Sequence, residues 1–236
     1  MNPTALRRPL MKTLLPKSLA LGFAALLTLA CGGEAPQESD FEQEQSLVGT
    51  PFADRIVSFT PGTAAGFGQS QLPNIVLGAP QGSGAGSGSL HVLSLGRNGV
   101  IVLEFTDIAV TNGPGVDLLV FENAFLKPDG LPFAETGVVG VSDDGVTWYE
   151  FPCASGNVAG NFPGCAGVTP VYSNTSNGIS ATNPAVAGGD GFDLAAVGLT
   201  RARFVRIRDS GANGYAGTSG GFDLDAVAVV NGVQLP

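Results

Sequence analysis

The chain has 236 residues, 20 of them acidic and 11 basic, with a formal net charge of −9. This balance argues against nucleic acids and anionic membrane surfaces as partners, because both require clustered lysine and arginine. Thirty-five glycines, few charged residues and many short apolar runs favour an all-β fold with glycine-rich turns.

The first thirty residues have the pattern of an export signal. Residues 18–30 are almost wholly apolar, too short to span a bilayer and typical of a signal peptide. The basic residues before them are Arg7, Arg8, Lys12 and Lys17. The run ends in Thr28-Leu29-Ala30-Cys31-Gly32, which resembles the lipobox of bacterial lipoproteins. The resemblance implies a signal peptide over 1–30, lipidation at Cys31 and outer-membrane or cell-surface delivery. The alternative is an ordinary secretory signal followed by a free cysteine.

Residues 31–51 form a polar, acidic connection between the signal and the rest of the chain. Five acidic residues and no basic residue lie between positions 32 and 46. Like charges and low apolar content favour a disordered tether. Residues 52–236 are long enough to bury a core, so we expect one β-sandwich domain there. Without residues 1–30 the chain keeps 20 acidic and 7 basic residues, a net charge of −13.

The first half of this domain contains several strand patterns. Residues 55–60 alternate between apolar and polar types, and residues 74–77 form a short apolar run. Residues 89–95 and 100–105 flank a turn with Asn98-Gly99, which predicts a hairpin. Residues 116–121 are continuously apolar after Asp117, which predicts a strand buried on both faces.

The second half adds further strands and one internal repeat. Residues 136–142 and 146–151 flank Asp143-Asp144-Gly145, which predicts a second hairpin. Residues 202–208 alternate cleanly, and residues 226–230 form the last strand. The unit Gly-Phe-Asp-Leu occurs at 191–194 and again at 221–224, which predicts two equivalent turns at one rim of the sandwich.

Two cysteines remain if Cys31 carries lipid. Cys153 and Cys165 are twelve positions apart, and in an oxidising compartment such a pair forms a disulfide. Two buried free thiols are the alternative.

Several motifs together resemble known proteins. The segments 141–148 and 202–208 are similar to discoidin-like (galactose-binding-like) jelly rolls. The segments 113–123, 133–135 and 219–227 resemble a functionally uncharacterised family of bacterial secreted and cell-surface proteins. The resemblance covers about 57–231 and implies a β-sandwich jelly roll in an extracellular location. It implies no activity, because a fold does not carry function.

Acidic residues concentrate beside glycine-rich turns at the ends of apolar runs. Calcium takes six to eight oxygen ligands from such loops, and a buried carboxylate needs a partner. The predicted Ca²⁺ ligands are Asp117, Glu122, Asn123, Asp190, Asp193, Asp223 and Asp225. Glu135 has the same setting. Two alternatives are capping by backbone N–H groups and pairing with the arginines at 201–208.

The ligand-binding candidates are Tyr172 and Tyr215, which lie in polar, glycine-rich loops where binding residues tend to occur. The only histidine, His91, fits a structural role in a strand, and nothing in the sequence singles out a catalytic acid and base. We therefore expect a lipid-anchored surface binding or adhesion module, stabilised by calcium, whose ligand is a glycan or a surface protein. The alternatives are a structural envelope lipoprotein that packs against other surface proteins and, third, a glycosidase with paired carboxylates.

Overall fold

A computed structural model describes residues 49–213 and 217–236. The predicted signal peptide, the lipidation at Cys31, most of the tether and the binding role of Tyr215 lie outside these residues. Residues Gln45–Pro236 form one compact unit. Within the described ranges, no helix is both long enough and apolar enough to cross a membrane.

The described residues form short strands joined by turns and three single-turn 3-10 helices. The strands are β1 (Arg55–Thr60), β2 (Leu93–Ser94), β3 (Val100–Glu104), β4 (Ile108–Thr111), β5 (Leu118–Glu122), β6 (Phe125–Leu126), β7 (Pro132–Phe133), β8 (Gly137–Ser142), β9 (Tyr149–Glu150), β10 (Asp190–Phe192), β11 (Arg201–Ala202), β12 (Phe204–Asp209), β13 (Asp223–Val229) and β14 (Gly232–Gln234). The 3-10 helices are Gln69–Gln71, Asn74–Val76 and Leu194–Val197.

Two antiparallel sheets make up most of the fold. One has the strand order β1-β3-β12-β8-β9 and the other has the order β10-β5-β13-β2. A three-stranded sheet, β11-β4-β14, and a two-stranded hairpin, β6-β7, complete the described structure. The prediction of an all-β sandwich is therefore confirmed.

The main core lies between the two large sheets and follows from strand alternation. In β12, Val205 and Ile207 are fully buried, while Phe204, Arg206 and Arg208 face outward. The residues of β3 and β8 that lie beside Val205 and Ile207 are also buried. Because side chains on a strand alternate between faces, one apolar face per sheet is enough to form this core.

A second, smaller core lies on the other face of the four-stranded sheet. Leu119 and Phe121 of β5 pack there with Ala226 and Ala228 of β13, under the chain around Val171. All five residues of β5 are buried. The prediction of a strand buried on both faces is confirmed.

The arginines at 201–208 pair with acidic residues outside the predicted calcium set. Their ion pairs are Arg201–Asp143, Arg203–Glu104, Arg206–Glu150 and Arg208–Glu150. Arg55 of β1 also pairs with Glu104. Arg206 also stacks over the Trp148 ring, 4.5 Å from its centroid. These arginines therefore do not neutralise the predicted calcium ligands.

The hairpin prediction for 89–95 and 100–105 is wrong. β2 pairs with β13 in the four-stranded sheet, whereas β3 pairs with β1 and β12 in the five-stranded sheet. Gly96 and Asn98 both have positive φ, 74° and 63°, so the chain turns a corner from one sheet to the other. The positive-φ position was predicted correctly, but a local turn signal does not say which sheet the next strand joins.

Two other local predictions need correction. Residues Asn74–Val76 form a 3-10 helix and not a strand. The repeated Gly-Phe-Asp-Leu units also differ, because the first ends β10 and enters a 3-10 helix, whereas the second runs directly into β13. The hairpin of β8 and β9 is confirmed, with Gly140 opposite Glu150.

Candidate cation site

Three carboxylates from different parts of the chain meet at one rim of the sandwich. Glu122 is the last residue of β5, Asp223 is the first residue of β13, and Glu135 lies just before β8. One carboxylate oxygen from each lies within 4.8 Å of the other two. Since β5 and β13 belong to one sheet and β8 belongs to the other, this acidic triad connects the two sheets.

The turn before β13 positions two members of the triad. Gly221 has a φ of +81°, and a Cβ atom at this position would lie 2.6 Å from the Gly96 carbonyl carbon. Only glycine fits this close approach in a left-handed conformation. The Gly221 amide lowers the pKa of Glu135, and Asp223 follows two residues later. The second Gly-Phe-Asp-Leu unit therefore places one carboxylate of the triad and brings a backbone amide towards another.

The triad is buried and poorly paired. Glu122, Glu135 and Asp223 are only 2%, 4% and 5% exposed. Among the described residues, both oxygens of Glu122, Oε1 of Glu135 and Oδ1 of Asp223 are buried without a hydrogen-bond partner. No lysine or arginine of the described ranges forms an ion pair with any of the three. A buried, unpaired carboxylate is costly, so this group of four oxygens requires an explanation.

Burial, together with repulsion from nearby carboxylates, raises the pKa of each carboxyl group of the triad. Desolvation, followed by the charges of Asp223 and Glu135, raises the pKa of Glu122 well above its ordinary value. The amides of Asn123 and Asp223 lower that pKa, although neither makes a hydrogen bond of normal geometry to the carboxylate. Without a cation, the site therefore favours protonated carboxyl groups.

The other two members of the triad show the same effect. Desolvation, then the charges of Asp223 and Asp209, raises the pKa of Glu135 to about 8. Desolvation also raises the pKa of Asp223 to about 6, although hydrogen bonds from Ser94 and Asn123 oppose this shift. A positive charge in the triad would reverse these shifts, because an opposite charge favours the ionised form.

The donor set fits a hard cation. Three carboxylates supply only oxygen atoms, which Ca²⁺ prefers, and no histidine nitrogen or cysteine sulfur belongs to the described triad. Glu122, Glu135 and Asp223 would hold the ion, with water or further oxygens completing its six to eight ligands. Of the predicted ligands, the structure brings Glu122 and Asp223 together and adds Glu135.

Asn123 lies beside the triad, and Asp225 follows Asp223 by two residues, but neither belongs to the triad. Asn123 Nδ2 lies 3.4 Å from Asp223 Oδ2 and 3.2 Å from the Ser89 carbonyl oxygen, so it acts as a donor there. Asp225 Oδ2 accepts the Gln81 N–H at 2.8 Å, and its Oδ1 lies 3.5 Å from His91 Nδ1. Desolvation raises the pKa of Asp225 to about 7, against the hydrogen bond from Gln81. The pairing of β13 with β5 shifts register between Leu224 and Ala226, so Asp225 lies at an irregularity of the strand.

The remaining predicted ligands are held by backbone amides elsewhere. Asp117 accepts N–H groups from Gly113 at 2.8 Å and Leu194 at 2.9 Å. Asp190 accepts N–H groups from Gly167 and Val168 at 2.7 and 2.9 Å. Asp193 caps the 3-10 helix Leu194–Val197 through the Ala195 N–H at 2.8 Å. The capping alternative describes these three residues.

Asp209, at the end of β12, is a structural carboxylate that the sequence did not identify. Its Oδ1 accepts the N–H groups of Asn98 and Gly211, each at 2.8 Å, and its Oδ2 accepts the Phe222 N–H at 2.9 Å. It therefore fixes the chain just before Asp223. The available signal was its position after an alternating strand and before Ser210-Gly211.

The remaining predicted site residues lie in loops. Cys153 and Cys165 form the predicted disulfide, with their Cα atoms 4.5 Å apart. Tyr172 is 40% exposed, but it lines none of the three cavities described for this part of the chain. Its carbonyl oxygen accepts the Asn177 side-chain amide at 2.7 Å.

The fold and the triad define an all-β sandwich with a buried acidic site between its sheets. No protein-family model matches the chain, and no curated protein matches it.

Proposed function

We propose that this chain is an exported, lipid-anchored surface binding module whose two sheets are joined by a calcium ion at the acidic triad. The observation that carries this proposal is the group of four buried carboxylate oxygens without partners, contributed by Glu122, Glu135 and Asp223. Protein interiors satisfy almost all such atoms, so the missing partner is most simply a ligand from outside the chain.

The charge of the site favours a divalent cation over a water molecule. Water supplies hydrogen bonds but does not neutralise neighbouring negative charges, whereas Ca²⁺ coordinates the carboxylate oxygens directly and neutralises their charge. Protonation is the competing solution, because the pKa of Glu135 is about 8 and that of Asp223 is about 6. Calcium binding must therefore displace protons, and its affinity rises with pH.

An exported location is consistent with calcium as the bound cation. The disulfide Cys153–Cys165 is typical of an oxidising compartment, and the lipobox-like segment ending at Cys31 also indicates export. Calcium sites of extracellular modules often have dissociation constants of about 0.1–1 mM. A site with three carboxylates is suited to that range or to a tighter one.

The test is thermal unfolding of Gln45–Pro236, the compact unit that contains every described strand, both cores and the disulfide. The midpoint is measured at pH 7.5 in EGTA and in 1 mM Ca²⁺. If the site has a dissociation constant of about 10 μM, calcium adds about 2.7 kcal/mol to the free energy of unfolding. For a domain of this size, the midpoint rises by roughly 5–10 °C.

Two matched substitutions assign the effect to the triad. Glu122→Gln removes one charge from the site, so we expect it to abolish the calcium shift and to raise the midpoint in EGTA. Glu150→Gln is the control, because Glu150 is 41% exposed and pairs with Arg206 and Arg208 on the outer sheet face. It should keep the full calcium shift. An unchanged wild-type midpoint in calcium would refute the cation site.

A further inference from the structure

A groove lies between the β6-β7 hairpin and the loop closed by the disulfide. Two adjoining cavities of about 590 and 460 Å³ share three lining residues, Ala134, Val158 and Phe162. Each cavity is within the size range of small-molecule sites. We call this feature the loop groove.

The walls of the loop groove expose carbon surface to solvent. Leu131 on the hairpin is 58% exposed, and Val158 on the disulfide loop is 69% exposed. Phe133 also lines the groove, and its ring stacks on Phe125 with centroids 4.8 Å apart. Apolar side chains gathered around a concavity mark a binding surface more often than scattered ones do.

The groove also contains an unsatisfied amide. The side-chain oxygen and nitrogen of Asn213 are buried without a hydrogen-bond partner in the described part of the chain, and Asn213 lines the larger cavity. One amide offers an acceptor and two donors, so it can bond two neighbouring hydroxyl groups of a ligand. Ser155 and Thr136 also line the larger cavity, and the Thr136 hydroxyl forms a hydrogen bond with that of Ser210 at 2.7 Å.

Backbone strain occurs in the opposite wall. Asn161 and Phe162 both have positive φ, 58° and 51°, which is unfavourable for a bulky residue such as phenylalanine. Strained backbone of this kind concentrates at binding sites. Phe162 lines both cavities of the groove.

The charge of the groove restricts its ligand. Among the described residues that line the two cavities, Lys127 is the only charged one, and its Nζ lies 3.7 Å from Asp129 Oδ2. From Gln45 onward, the chain has fifteen acidic and seven basic residues, so the net charge of the domain disfavours an acidic polymer. A wholly apolar ligand would leave the Asn213 amide unsatisfied, which is costly.

From these features we infer that the loop groove binds a neutral carbohydrate, with the apolar face of a sugar ring against Phe162 and two ring hydroxyls on Asn213. This inference rests on the proposed function and names its ligand class.

The groove is also connected to the cation site through Glu135. Glu135 of the triad lies between Ala134 and Thr136, which both line the groove. A cation that holds Glu135 therefore fixes one wall without touching the sugar.

The test is isothermal titration of Gln45–Pro236 with neutral hexaoses derived from cellulose, xylan, mannan and chitin, in 1 mM Ca²⁺. We expect at least one of them to bind, and an oligogalacturonate of the same length not to bind. Phe162→Ala and Asn213→Ala should each weaken binding at least tenfold. Tyr172→Ala is the control, because Tyr172 lies outside the groove, and it should bind as the wild type does. EGTA should also weaken binding at least tenfold.

The calcium shift in thermal unfolding is measured for each variant, so loss of folding is separated from loss of binding. The inference is overturned if no neutral hexaose binds although the calcium shift is intact, and this result leaves the cation site standing. It is also overturned if Tyr172→Ala abolishes binding while Phe162→Ala retains it. Equal binding in EGTA and calcium refutes the link through Glu135. Absence of the calcium shift in the wild type refutes the proposed function itself.

Discussion

Asp117 and Glu122 lie at the two ends of β5, and their surroundings differ completely. Asp117 immediately precedes the strand, is fully buried and accepts three hydrogen bonds of 2.8–2.9 Å from Gly113, Leu194 and Asn231. Glu122 ends the strand, is 2% exposed and has no hydrogen-bond partner among the described residues. The same strand therefore carries one satisfied and one unsatisfied carboxylate.

The difference in hydrogen bonding between Asp117 and Glu122 separates a carboxylate that holds loops together from one that belongs to the triad. Where a buried charge holds loops together, this chain supplies backbone amides, as it does around Asp117 and Asp209. At the triad it supplies almost none and gathers further negative charge instead. A folded chain tolerates that arrangement when protons or a metal ion complete the site.

Substitution of Asp117, the hydrogen-bonded carboxylate beside β5, should have the largest effect on stability. Asp117→Ala leaves two backbone N–H groups and the Asn231 amide without an acceptor, so we expect a loss of about 3–5 kcal/mol in the free energy of unfolding. Urea denaturation of Gln45–Pro236 measures this loss. The loss should be equal in EGTA and in calcium. A loss that disappears in calcium would make Asp117 part of the cation site and remove the contrast with Glu122.

The triad, which includes Glu122 at the end of β5, should make the stability of the domain depend on pH. The pKa values of Glu122, Glu135, Asp223 and Asp225 are all raised in the folded domain, those of the last three to about 8, 6 and 7. Between about pH 4 and pH 8 the folded domain binds more protons than the unfolded chain, so stability falls as pH rises. In EGTA, the unfolding midpoint should fall by several degrees from pH 5 to pH 8.

Calcium should oppose this decline, because the ion replaces the protons of the triad. The midpoint in 1 mM Ca²⁺ is therefore expected to separate from the EGTA curve increasingly above pH 6. Parallel curves at all pH values would mean that calcium binds elsewhere. A midpoint in EGTA that rises with pH would contradict the buried, protonated state of the triad.

The smallest expected loss of stability is that for Asp193, a partly exposed residue that caps a 3-10 helix. Asp193→Ala removes the side-chain acceptor for the Ala195 N–H at the start of Leu194–Val197, so we expect a loss of about 1 kcal/mol. The midpoint of thermal unfolding should decrease by the same small amount in EGTA and in calcium. A decrease of several kcal/mol would show that the distinction between caps and cation ligands is too simple.

The sequence predicted features that depend on local pattern. Alternation identified β1 and β12, a continuous apolar run identified β5 as buried on both faces, and spacing identified Cys153–Cys165. Each of these signals is contained in a few neighbouring residues. They are therefore readable without knowledge of the tertiary structure.

The sequence did not predict which acidic residues meet. Asp117, Asp190 and Glu122 all lie beside glycine-rich turns, yet of these three only Glu122 accepts no hydrogen bond of normal geometry from the described residues. That difference depends on long-range packing, such as Leu194 reaching Asp117 across 77 positions of sequence. The two Gly-Phe-Asp-Leu units failed as equivalents for the same reason, since the chain after each one packs differently.

The disulfide loop has a consequence for how this domain can change over time. Its stem is short and fixed, since Cys153 and Cys165 bring the chain ends to 4.5 Å and the neighbouring Phe151 and Ala166 are buried. No residue from 154 to 164 belongs to either core. Insertions and substitutions in this loop therefore leave the core intact. If the loop groove binds sugar as inferred above, replacing this loop changes the ligand surface while the scaffold stays the same.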